Sequence, residues 1–104
     1  MLVYKVFTIQ DWNKFVAEKI YYGSAHDQRD GFIHLSEEHQ LEFVLKSFYH
    51  QESSVIIAQF GSTKFKQEIK WEEASNGDKF PHLYGELERK AVLKHYSQEI
   101  TFSK

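Results

Sequence analysis

Val55-Ile56-Ile57-Ala58-Gln59-Phe60 carries five apolar residues in six, three of them β-branched, and its reading decides the fold. A run this short and this evenly apolar fits a strand covered on both faces, so it is expected at the centre of a sheet. Toward the N-terminus, Gln51 to Ser53 breaks the pattern, and before it Leu41, Val44, Leu45 and Phe48 recur at i, i+3, i+4 and i+7. That spacing predicts a helix, with Glu37 and Glu38 in its first turn and Ser36 as its N-cap. Further back, Leu2 to Phe7 (LVYKVF) reads as a strand. Thr8 caps a helix over about Ile9 to Lys19, whose Trp12, Phe15, Val16 and Ile20 keep helical spacing. Tyr21 to Asp30 shows no period and is expected to be a loop carrying polar groups. Beyond the central run, Gly61-Ser62-Thr63 is turn-like, Glu68 to Trp71 alternates, Asn76-Gly77 marks a tight reversal, and Ala91 to Phe102 reads as a final edge strand. Two main helices among several strands place the chain in the α+β class.

The 104 residues suit one domain, taken as 1–104, with no repeat or linker inside it. Nine Phe, six Tyr and two Trp mean that rings supply much of the buried area. No Cys is present, which excludes disulfides, thiolate chemistry and cysteine metal sites. A formal charge of −2 supplies no field for nucleic acid, so that partner is not expected. With no apolar run near ~20 residues and no signal-like start, the expectation is a cytoplasmic protein without a membrane partner.

Two segments carry candidate chemistry. In Asp30-Gly31-Phe32-Ile33-His34-Leu35-Ser36, a short strand delivers His34 and Ser36 to one face, two residues apart, at a helix start that suits an anion or a ribose. The plainer alternative makes Ser36 a cap and His34 a half-buried structural histidine. In Phe80-Pro81-His82-Leu83-Tyr84-Gly85, alternation puts Phe80, His82 and Tyr84 on one side, a row able to stack a planar ring and bond its polar edge. The alternative there is an edge strand stiffened by Pro81. Lys5, a lone charge in an apolar strand, either reaches solvent, the commoner outcome, or serves a ligand phosphate. Glu72 and Glu73, beside Trp71, rank below the histidines. No two histidines have the i, i+4 spacing of a helical zinc motif, and no metal is expected. His39, His50 and His95 read as surface residues.

Three stretches together, VYKVFTIQDW near the start, GSAHDQRDGFIHLS from Gly23 and KWEEASNGDKFPHLYG from Lys70, resemble the bacterial family catalogued as domain of unknown function 952. That family resembles in fold the ADP-ribosylation superfamily, which includes NAD-dependent ADP-ribosyltransferases and RNA 2′-phosphotransferases. The resemblance implies a split, curved, mainly antiparallel sheet and a cleft for NAD or an ADP-ribosyl moiety, lined by analogy by Lys5, His34, Ser36, His82 and Tyr84. Lys5 stands where histidine–tyrosine–glutamate transferases place a ribose-binding histidine, and Glu86 is only a positional match for their late glutamate. The arginine and histidine set of the 2′-phosphotransferases is not recognisable around Arg29 and Arg89.

The sequence thus points to a nucleotide-type ligand, NAD or an ADP-ribosyl derivative, with His34 and His82 as candidate catalytic groups and Lys5, Ser36, Phe80 and Tyr84 as candidate ligand contacts. NAD enters as a substrate, and no resident cofactor is expected. The competing reading is a binding or protein-interaction module that keeps the cleft without turnover.

Overall fold

A computed structural model describes residues 1–65 and 68–101. In chain order it forms β1 (Leu2–Phe7), α1 (Ile9–Glu18), β2 (Ile20–Tyr21), α2 (Ala25–Asp30), β3 (Ile33–His34), α3 (Leu41–Phe48), β4 (Ser54–Gly61), β5 (Glu68–Glu73), β6 (Lys79–Tyr84), β7 (Leu87–Glu88) and β8 (Val92–Glu99). The strand built on VIIAQF is central, as its composition requires: β4 lies between β1 and β8 in an antiparallel sheet. A second antiparallel sheet has the order β3-β6-β5, and β2 pairs with β7 in a ribbon. Tyr4 and Ser36 stitch the two larger sheets together by exchanging backbone hydrogen bonds of 2.7 and 2.9 Å. The result is an α+β fold whose sheet is split.

Because β1 and β4 are covered on both faces, their alternate residues feed two cores. Val3, Phe7, Ala58 and Phe60 join Trp12, Phe15, Tyr21, Ile33, Leu35, Leu83 and Leu87 in the larger one. Tyr4, Val6, Val55 and Ile57 meet Leu41 and Leu45 of α3 in the smaller. Rings dominate the first, where Phe7 lies 5.0 to 5.3 Å from the rings of Tyr21, Trp12 and Phe15. α1 begins as expected, with the Thr8 hydroxyl accepting from the Asp11 amide at 3.1 Å, and ends when Lys19 turns left-handed at φ 69°. β8 is the expected edge strand. Phe102, its expected end, lies outside the described residues.

Three local expectations are corrected. The stretch Tyr21 to Asp30 is not a loop, because Ile20–Tyr21 pairs with β7 and Ala25–Asp30 forms a helix. Six residues are too few to show a period, and the signs of this helix are its Ser24–Asp27 capping box and its Gly31 C-cap. Ser36 is not a helix cap. Its backbone is spent on pairing with Tyr4, and the chain turns two residues later through a single 3-10 turn, Glu38–Gln40, with Glu37 at the N-cap. Finally, β6 is the middle strand of its sheet rather than an edge. Pro81 has no N–H to give, but its carbonyl accepts from the Leu35 amide at 3.0 Å.

Gln40 fixes α3 to the second sheet, its buried amide donating to Asp78 and to the Lys79 carbonyl at 3.0 and 2.7 Å. That anchor holds α3 across from α2. No helix among the described residues is long and apolar enough to cross a membrane.

Candidate functional site

The two histidine segments meet because β3 and β6 pair in a register that sets His34 directly opposite His82. Side chains opposite each other in an antiparallel pair share a face, and the two imidazoles stand 5.6 Å apart, edge to face. Phe32 covers this junction. Its ring stacks on His82 at 3.9 Å and lies 4.7 Å from His34 and 5.4 Å from Tyr84.

Lys5 reaches neither solvent nor a vacant phosphate position. It shares the core-facing side of β1 with Val3 and Phe7, is 3% exposed, and donates to Asp27 Oδ2 at 2.9 Å and to the His34 carbonyl at 3.1 Å. Asp27 is buried too, and its other oxygen takes the His34 amide at 3.1 Å and faces His34 Nδ1 at 2.6 Å. Burial alone pushes the Asp27 carboxyl up. The hydrogen bond from His34, the charge and hydrogen bond of Lys5, and the Ser24 amide outweigh that and hold it well below the ordinary carboxylate range. A buried chain, Lys5–Asp27–His34, therefore orients one imidazole.

Two glycines make this chain of contacts accessible to the backbone. Gly23 takes φ 110°, and a Cβ there would fall 2.7 Å from the Asp27 Cβ, so only glycine lets the loop pass so close. Gly31, at φ 87°, reverses the chain between α2 and β3 and returns His34 to the helix it has just left. As a consequence His34 Nε2 meets Asp30 Oδ2 at 3.0 Å, and the same oxygen lies 3.2 Å from His26 Nε2. The His26 and His34 rings stack at 4.4 Å. Partial burial, followed by the neighbouring His34, lowers the His26 imidazole from its ordinary value.

His82 has a different setting. Its Nδ1 faces Glu72 Oε1 at 2.8 Å, and the Tyr84 hydroxyl donates to the same oxygen at 2.6 Å. Those two bonds hold the Glu72 carboxyl low, the Tyr84 bond contributing most, and the carboxylate in turn raises the Tyr84 phenol.

Between α2, α3 and the β3–β6 face lies a cleft of about 580 Å³. Its polar end holds His26, Asp30, His34 and His82, and its apolar wall is made by Phe43, Phe48 and Phe80. Of the residues singled out by sequence, His34, His82, Lys5, Ser36 and Phe80 line it, with Lys5 already paired. Tyr84 belongs to the same row as His82 but supports it through Glu72 from outside the lining. Glu73 lines the cleft, whereas Glu72 and Glu86 do not. Sequence reasoning missed Asp27, His26 and Asp30 as site residues. The Ser24–Asp27 capping spacing was the available sign that they share a helix, with His26 and Asp30 one turn apart.

A family model described as protein of unknown function (DUF952) matches residues 6–95. The crystal structure of protein CC0527 from Caulobacter crescentus superposes with a TM-score of 0.86 at 29% identity, over 93% of this chain and 85% of that one. The solution NMR structure of CC0527 gives 0.79 at 29% identity, over 91% and 82%. No curated protein matches the chain. The family resemblance and the α+β fold are thus borne out.

Proposed function

Since the chain belongs to the DUF952 family, whose description names no reaction, function is argued from the cleft, and we propose that it binds a small nucleotide-type ligand, NAD or an ADP-ribosyl derivative. The observation that carries this is a single cleft of about 580 Å³ with both histidines at one end and three phenylalanines along the wall. That volume falls within the roughly 300–1,000 Å³ typical of small-molecule sites, and mixed aromatic and polar lining is their usual chemistry. A planar base stacks on the phenylalanine wall, while ribose hydroxyls bond to Asp30 and the imidazoles. Lys5 is neutralised by Asp27, and among the described residues no other Lys or Arg lines the cleft, so phosphates extend outward and the base and ribose supply the affinity.

Should transfer occur, His34 is the proton-handling group, because Asp27 holds its Nδ1 while its Nε2 meets Asp30, another residue of the cleft lining. Asp30 and Glu73 are the carboxylates placed to offset positive charge developing on a ribosyl carbon. The second reading, ligand binding without turnover, draws on the position of Glu86, which lies outside the cleft lining.

The test is an NMR titration of labelled protein with NAD, ADP-ribose and nicotinamide, following the amides of Gly31–Ser36 and Phe80–Gly85. Joint saturable shifts in both segments are expected. Absence of shifts with all three ligands overturns the nucleotide reading, and shifts without any product over long incubation select binding without turnover.

A further inference from the structure

His26, Asp30 and His34 form a constellation that shares Asp30 and His34 with the ligand reading above, and an ion on His34 Nε2 takes the place of the proton-handling role given to that nitrogen. Their three ligating atoms, two Nε2 and one carboxylate oxygen, all lie within 4.8 Å of one another. The carboxylate oxygen stands 3.0 and 3.2 Å from the two nitrogens. Two ligands each ~2.1 Å from a common ion are ~3.0 Å apart in an octahedral sphere and ~3.4 Å apart in a tetrahedral one, so the two carboxylate–imidazole distances already match, while the two nitrogens lie within 4.8 Å of each other. We propose that these three residues bind one first-row divalent transition ion at the mouth of the cleft.

Four features support the assignment. His26 and Asp30 are one helical turn apart on α2 and share a face, and the left-handed turn at Gly31 brings His34 back beside them. The Nδ1 of His34 is taken by Asp27 at 2.6 Å, which fixes the proton there and leaves the Nε2 lone pair for a metal. A carboxylate behind a ligating histidine is the usual outer partner of such sites, and here that carboxylate is itself held by the buried Lys5. All three side chains are 30 to 40% exposed and line the cleft, so further coordination positions are open to water or to a bound molecule. Two imidazoles with one carboxylate suit zinc, iron(II), nickel or cobalt rather than calcium or magnesium, which favour all-oxygen shells. The ion also brings positive charge to a cleft where, among the described residues, the one lining lysine is already paired.

The alternative is a purely hydrogen-bonded cluster, in which Asp30 accepts from both imidazoles. Isothermal titration of chelator-treated protein with zinc, and visible absorption on adding cobalt(II), separate the two. One equivalent is expected to bind, with a cobalt d–d band. His26→Ala and Asp30→Asn are expected to weaken binding by more than the roughly 10–100-fold typical of losing an outer partner, whereas His39→Ala and His50→Ala leave it unchanged. His26 is half-buried and its ion pair with Asp30 lies near the surface, so its variant is expected to keep the fold. No binding, or binding that survives both site variants, overturns the proposal. Binding lost equally in the His39 and His50 variants overturns it as well, since it then reflects scattered surface histidines.

Discussion

The two facing histidines are supported in opposite ways. His34 is 30% exposed and rests on Asp27, which is 2% exposed, whereas the His82 side chain is 10% exposed and rests on Glu72, which is 39% exposed. A buried carboxylate is tied to its fold by a buried lysine, and it orients an imidazole whose second nitrogen meets Asp30 in the cleft lining. A surface carboxylate does the reverse, meeting an imidazole already covered by Phe32. The contrast teaches that identical residue types in neighbouring register positions take different roles, His34 at the reactive end and His82 as a floor.

The largest expected effect comes from removing the buried support. Asp27→Ala leaves Lys5 charged and unpaired in the core and is expected to cost about 3–5 kcal/mol, read from urea unfolding. Replacing both, Lys5→Met with Asp27→Leu, should restore most of that loss. Glu72→Gln at the surface should leave the urea midpoint where it was. A comparable loss at Glu72 would break the contrast.

Acid should expose the same difference. The folded Asp27 carboxyl lies below its ordinary value of 3.8. Its contribution to stability is therefore complete above that value and is lost as the pH falls below about 4 toward the depressed folded value. In chelator-treated protein, the urea midpoint should decline over this window, and the decline should be much shallower in the Lys5→Met, Asp27→Leu pair.

For ligand binding, His34→Gln should weaken the response to ADP-ribose in an NMR titration by roughly 5–10-fold, about one hydrogen bond's worth, while His82→Gln should change it less. The reverse order would exchange the roles assigned to the two rings. The smallest expected effect is that of Tyr84→Phe. Tyr84 lies outside the cleft lining, so titration curves should overlay those of the unaltered chain, with only the His82 ring resonances displaced.

Elements were legible where the sequence pattern was long enough to repeat. VIIAQF announced a doubly covered strand, Thr8 with Trp12 and Phe15 announced α1, and Asn76-Gly77 announced the β5–β6 reversal. α2 escaped because six residues show no period, and Ser36 misled because a good capping residue was claimed by a longer-range partner, the backbone of Tyr4. The segments carrying His34 and His82 could be singled out by residue type. Asp27 looked like any polar residue of a loop.

By itself, then, the sequence determined the α+β class, the central strand, the aromatic core and the two histidine segments, since each depends on neighbours close along the chain. Only the tertiary structure decided that Lys5 is neutralised by Asp27, that His34 stands opposite His82, and that His26 and Asp30 converge on His34. Those outcomes depend on strand register, on two glycine turns and on the burial of β1 from both sides. Burial makes an unpaired charge too costly to keep, so the pairing is fixed by which groups the fold encloses together rather than by their order in the chain.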